Sequence, residues 1–203
     1  MKKVRLVYGY GVNDLDRKVY KCAIVDGKQK QIWICPYYRD WRSMLQRCFC
    51  QKYQSMYPTY NGCTIYPDWK YLSKFIEWVD SQPNRDWENC QLDKDFLNIG
   101  NKHYSPETCV YITSKVNSFI TDGAGRRGEF KIGVSYVPKL NRLHPYRAQC
   151  RDPFKVRPHS IGFFTTEMEA HLAWKARKHE YACQLADLQQ DSRVAKALRN
   201  LYA

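Results

Sequence analysis

Tyr146-Arg147-Ala148-Gln149-Cys150-Arg151 alternates residue by residue along its whole length. Successive side chains of a strand point to opposite faces, so Arg147, Gln149 and Arg151 share one face and Tyr146, Ala148 and Cys150 the other. Upstream, Phe130, Ile132 and Val134 alternate with Lys131, Gly133 and Ser135. Downstream, Ser160-Ile161-Gly162-Phe163-Phe164 reads as a third strand. Thr166-Glu167-Met168-Glu169 then has the hydroxyl and the carboxylate of a capping box, which opens a helix. The spacing of Leu172, Ala176, His179, Cys183 and Ala186 predicts the stripe by which that helix packs on the sheet. The C-terminal part is thus expected to be three strands with a helix on one face and a row of Arg and Gln on the other.

Charge is concentrated in the same region. The 203 residues carry 33 Lys and Arg against 20 Asp and Glu, a formal net charge of +13, and 15% are aromatic. Residues 123–203 have 15 basic and 7 acidic side chains, net +8, against net +5 for residues 1–122. Within 126–157 nine Lys and Arg face only Glu129 and Asp152. A short cationic segment with interleaved aromatics suits a polyanion, because cations release phosphate counterions and flat rings stack on bases. On this reading Lys131, Arg142, Arg147, Gln149, Arg151, Lys155 and Arg157 are the candidate nucleic-acid contacts, in a major groove where Arg reads guanine and Gln reads adenine. A merely solvated polar face is the alternative.

The rest of the chain reads as short elements separated by turns. Gln31-Ile32-Trp33-Ile34-Cys35 is strand-like and is closed by Pro36. Trp41, Met44, Leu45 and Cys48 have helical spacing, with Asp40 as a candidate cap. A second helix is expected after Asp68, with Trp69, Leu72, Phe75, Ile76 and Val79 on one face and its end before Pro83. Asn98 and Asn101 flank Gly100 in a turn, and a short helix is expected over 114–120. Asp122-Gly123-Ala124-Gly125 is the best linker. The domains expected are an N-terminal extension over 1–36, a first domain over 37–122, a linker over 123–125 and a second domain over 126–203.

The nine cysteines form an odd set without a Cys-x-x-Cys pair. Cys48-Phe49-Cys50 is too tight for a zinc knuckle, so structural zinc is not expected and free thiols are. No apolar run approaches the roughly 20 residues that cross a bilayer, and Arg5 and Gly9 interrupt any signal-peptide core. The expectation is a cytoplasmic protein with no membrane and no obligate protein partner.

The ordered set Gly133-Val134-Ser135, Tyr146-Arg147-Ala148, Ile161-Gly162-Phe163-Phe164 and Thr166-Glu167-x-Glu169-Ala170-His171-x-Ala173-Trp174 resembles the Apetala-two-type DNA-binding domain over about residues 128–185. That resemblance implies three antiparallel strands across the major groove of double-stranded DNA. The preceding half resembles the phage HNH homing endonucleases over about residues 37–120. It does so through Trp41-x-x-Met44-Leu45-x-Arg47-Cys48, Pro58-Thr59-Tyr60, Trp69, Phe75, Leu92-Asp93-Lys94-Asp95 and Tyr104-Ser105-Pro106-Glu107-Thr108-Cys109-Val110-Tyr111, with Asn117 downstream. Gly11-Val12-Asn13-Asp14 resembles the leader of the same proteins, without assignable chemistry. The fold class expected is α+β, a small HNH (ββα-metal) module with flanking helices followed by a three-stranded antiparallel sheet packed on one helix.

HNH chemistry cuts a phosphodiester with one divalent metal and a His base that activates water. The resemblance implies Asp93 on a strand pair and Asn117 on the following helix as metal ligands, with Mg2+ or Mn2+ suited to these hard oxygen donors. Asp95 and Glu107 are further candidates for metal or water, Glu107 equally for capping the turn after Pro106. Lys94 stands where the family has its His. Between two acids its charge is favoured, which makes it a phosphate clamp rather than a base. His103 is the nearest imidazole, either a replacement base or a surface turn residue. The sequence therefore points to a homing-type DNA endonuclease, with a DNA-binding protein that has lost cleavage as the alternative.

Overall fold

A computed structural model describes residues 5–121, 129–140, 143–155 and 158–203. The chain is α+β and forms two compact units, one of residues 1–88 and 92–111, the other of 89–91 and 112–203. The division crosses a strand pair, β4 (Cys90–Asp93) with β6 (Val110–Thr113); the linker expected at 123–125 lies outside the described residues.

The first unit opens with a hairpin, β1 (Tyr20–Val25) and β2 (Lys28–Ile34), antiparallel from Tyr20 opposite Ile34 to Val25 opposite Lys28. Its turn is Asp26-Gly27, both with positive φ (52° and 71°), the backbone that lets a two-residue turn follow the twist of its strands. The sequence reading expects a strand only over 31–35 in β2; β1, Tyr-Lys-Cys-Ala-Ile-Val, is no less apolar, and the hairpin's side chains are almost all exposed. Helix α1 (Pro36–Phe49) starts at a proline, which supplies helical φ where no N–H is needed. Asp40 therefore lies inside the helix instead of capping it. Its carboxylate accepts from Arg39 Nε (2.8 Å) and from the Tyr111 hydroxyl (3.3 Å).

Tyr38, Trp41, Met44, Leu45 and Cys48 of α1 are buried, as the spacing of the last four predicts. After α2 (Gln51–Met56) and β3 (Thr64–Ile65), the second expected helix arrives in two pieces, a 3-10 turn over Pro67–Lys70 and then α3 (Leu72–Asp80). Trp69, Leu72, Phe75 and Val79 are buried against the α1 residues. Residues 11–14 belong to this core. A Cβ on Gly11 would sit 2.3 Å from Leu45 and 2.7 Å from Trp41, and Val12 bonds backbone to backbone with Lys70 and Leu72. Asp14 accepts from the Ser73 N–H (2.9 Å) and hydroxyl, which serves the open first turn of α3. The stretch read as a leader is thus a structural strap.

Strand β5 (His103–Tyr104) runs parallel to β3, and α4 (Ser114–Ile120) follows β6 directly with Thr113 as its cap. In the second unit β7 (Val134–Tyr136), β8 (Tyr146–Arg151) and β9 (Pro158–Phe164) form an antiparallel sheet with β8 in the centre. Helix α5 (Glu167–Ala186) packs on it, its capping box between Thr166 and Glu169 fully formed, and α6 (Ser192–Asn200) packs on α5. Two details depart from the alternation pattern. Strand β7 begins at Val134, because Gly133 takes a left-handed φ of 82° and places its α-carbon against Trp174. The buried face of α5 is Ala170, Trp174, Lys178, Tyr181, Ala182, Leu185 and Ala186, whereas Leu172 is 55% exposed and Ala176 is exposed. A lysine in the middle of the true stripe hides it from a hydrophobicity reading.

All nine cysteines are free thiols, six of them buried. Among the described residues no helix is long and apolar enough to cross a membrane.

Candidate nucleic-acid interface and nuclease motif

The central strand divides its side chains as the alternation requires. Ala148 and Cys150 are buried (0% and 5% exposed), while Arg147 and Gln149 are half-buried and Arg151 is exposed. Arg147 lies opposite Ser135 on one neighbour and Phe163 on the other, so these three share a face. On that face Arg147 Nε and Ser135 Oγ are buried and have no hydrogen-bond partner among the described residues. Unmet polar atoms of this kind are costly and uncommon in folded chains. Lys131 precedes β7, its backbone N–H donating to Glu167 and its side chain exposed. Lys155 is exposed, 3.6 Å from Asp152. Arg142 and Arg157 lie outside the described residues.

In the first unit Asp93 closes β4 and turns the chain. Its Oδ1 accepts from the backbone N–H groups of Asp95 (2.9 Å) and Phe96 (2.8 Å). Burial pushes the Asp93 carboxyl up, the Asp95 charge adds to this, and the two N–H groups oppose it. Lys94 is only 6% exposed. Its ammonium lies 3.2 Å from Asp95 and 5.9 Å from the centre of the Tyr104 ring, so it is engaged within the chain and not presented as a surface clamp. Arg47 reaches the same tyrosine, donating to its hydroxyl (3.4 Å) while lying over Tyr60. Nothing in the spacing of α1 singled out Arg47 as a cation behind the motif; only its neighbours in space do.

His103 and Glu107 form a separate group. His103 Nδ1 is 2.8 Å from the Thr64 hydroxyl, and its carbonyl accepts from Asn101 (2.7 Å) and Thr108 (2.7 Å). Asn101 also donates to the Lys94 carbonyl (2.6 Å), which fixes the loop between β4 and β5. Glu107 is exposed and its carboxyl is held low by the Ser105 hydroxyl. Asn117 belongs to the second unit and donates to the Gln91 side chain there. Asp93 and Asn117 are thus members of different units, each held by partners of its own.

Of the expected metal donors, Asp93, Asp95 and Glu107 belong to the first unit and Asn117 to the second. Asp93 and Asp95 are adjacent hard-oxygen donors of the right chemistry for a divalent ion. Glu107 does not form a group of three with them. Among the described residues no group of three or more His, Cys, Asp or Glu side chains could hold a metal ion. Comparison with protein-family models, with curated proteins and with solved structures finds no match to this chain.

Proposed function

We propose that this protein is a homing-type DNA endonuclease whose C-terminal sheet docks in the major groove of double-stranded DNA. The observation that carries the reading is the row of Arg147, Gln149 and Arg151 on β8, alternating with the buried Ala148 and Cys150. Arg suits guanine or phosphate, and Gln suits adenine. The cleavage half rests on the HNH resemblance and on the pairing of β4 with β6, which α4 follows directly, a strand pair and helix as in that module. Asp93, with Asp95 beside it, would hold the divalent ion, which when bound supplies charge neutralisation at the scissile phosphate. The buried, acid-paired Lys94 keeps net charge low behind those carboxylates.

A second reading, a DNA-binding protein without cleavage, is favoured by one observation. The position that should carry a general base holds Lys94, and its ammonium is already paired with Asp95. Incubation of supercoiled plasmid and source genomic DNA with Mg2+ or Mn2+ decides between them. The endonuclease reading expects nicked or linear product that Asp93→Ala and Asp95→Ala abolish. Duplex binding without any product from wild type supports the second.

A further inference from the structure

A cleft of about 540 Å³ opens in the second unit between α4, the turn after β8 and the middle of α5. Among the described residues four cations line it, Lys115, Arg151, Lys155 and Lys178, against one carboxylate, Asp152. Asp152 is already committed, accepting from the Phe154 N–H (2.8 Å) and facing Lys155. The deepest cation is Lys178, 8% exposed. Its ammonium donates to the Phe119 carbonyl (2.7 Å) and lies 3.4 Å from the centre of the Phe119 ring and 5.1 Å from that of Tyr202. Those contacts position the charge, and among the described residues none brings a counter-charge.

An ammonium taken out of water without an anion is expensive. Helix α5 nevertheless places one where its stripe of small and aromatic side chains would accept an apolar residue. We propose that this cleft is a phosphate-binding site, with Lys178 as its buried anchor and Lys115, Arg151 and Lys155 as its rim, taking the phosphate of a nucleotide unit. The volume falls within the few hundred cubic ångströms typical of small-ligand sites, room for a sugar beside the phosphate. Phe119 and Pro153 give that part an apolar wall, and Ser118 offers a hydroxyl. Burial depresses Lys178 to about 8, the nearby Cys150 thiol working weakly against this, so the ammonium is still charged at neutral pH and a bound anion would raise its value again.

The phosphate could come from a free nucleotide or from the backbone of DNA, and the site stands whether or not the sheet binds duplex. The test follows the Lys Cε resonances of the full-length protein by NMR during titration with inorganic phosphate and with 5′-dAMP at fixed ionic strength. Saturable binding is expected, with Lys178 titrating at higher pH in the bound state. Lys178→Met should abolish it. As that variant could misfold, Lys115→Ala and Lys155→Ala on the rim are made too, each weakening binding about fivefold. A short duplex is then added. Displacement of 5′-dAMP, with a salt slope about one unit shallower for Lys178→Met, identifies the source as DNA backbone. Duplex binding without displacement identifies a free nucleotide. Absence of saturable binding by folded wild type up to about 10 mM overturns the proposal. Phosphate binding without duplex binding overturns the DNA reading and leaves the cleft standing.

Discussion

Replacing both Arg147 and Arg151 by Ala tests the docking face directly. Neither guanidinium is paired with a carboxylate among the described residues, so their removal breaks no ion pair, and unfolding free energy should change by no more than about 1 kcal/mol. If each neutralises one backbone phosphate, the slope of log K against log salt becomes shallower by about 0.9 per residue, or roughly 1.8 for the pair. Between 50 and 200 mM salt that difference alone changes the ratio of wild-type to variant affinity about 12-fold. The effect should be largest at low salt. Gln149→Ala, from the same face, should leave the slope unchanged and weaken preference for the cognate site instead, by about 1–3 kcal/mol if it makes a bidentate base contact. The assay is fluorescence anisotropy with a labelled duplex at several salt concentrations, alongside far-UV CD to check folding. A folded double variant with the wild-type slope would refute the argument that this face meets DNA.

Other consequences can be measured on the protein alone. Gly133→Ala imposes a left-handed φ on a residue with a Cβ and puts that Cβ 2.1 Å from the Trp174 indole. Conformational strain of about 1–2 kcal/mol and overpacking of about 1–3 kcal/mol should together lower stability by about 2–5 kcal/mol. A urea midpoint unchanged from wild type would contradict this. Asp14→Ala removes the acceptor at the first turn of α3 and should cost about 1 kcal/mol in denaturant unfolding. No loss would mean the strap at 11–14 contributes nothing to that helix. Lys178 gives a pH signature. Its folded value is near 8 against an ordinary 10.5, so between these limits the unfolded chain holds the extra proton and stability rises with pH. Below about 8 the full penalty of burying the charge is present. Wild type should gain about 2 kcal/mol relative to Lys178→Met between pH 7.5 and 9.5; parallel pH profiles would show that the lysine is not depressed.

Elements whose local pattern agrees with their burial could be read from sequence. Trp41, Met44, Leu45 and Cys48 are buried at the spacing that announces them, the Thr166–Glu169 capping box forms as written, and α4 spans the residues expected. The alternation in 146–151 assigns the two faces of β8 correctly. The α5 stripe was misplaced, since Lys178 occupies one of its buried positions and Leu172 is exposed. Hydropathy assigns a lysine to solvent; it cannot see a carbonyl and two aromatic rings brought from 59 and 24 residues away in the chain. The hairpin before α1 was half legible for the opposite reason, having little core for its pattern to report.

The order of side chains along 146–151 and 166–169 sufficed to settle a sheet with one covered face, because strand alternation and helix capping act over a few residues. Which cations meet, which carboxylates stay apart and which polar atoms are left unmet depended on folding. Lys178 beneath Arg151 and Lys155, Lys94 beside Asp95, and Asp93 and Asn117 in separate units are products of long-range packing, in which charge is stabilised or stranded by neighbours that no local spacing encodes.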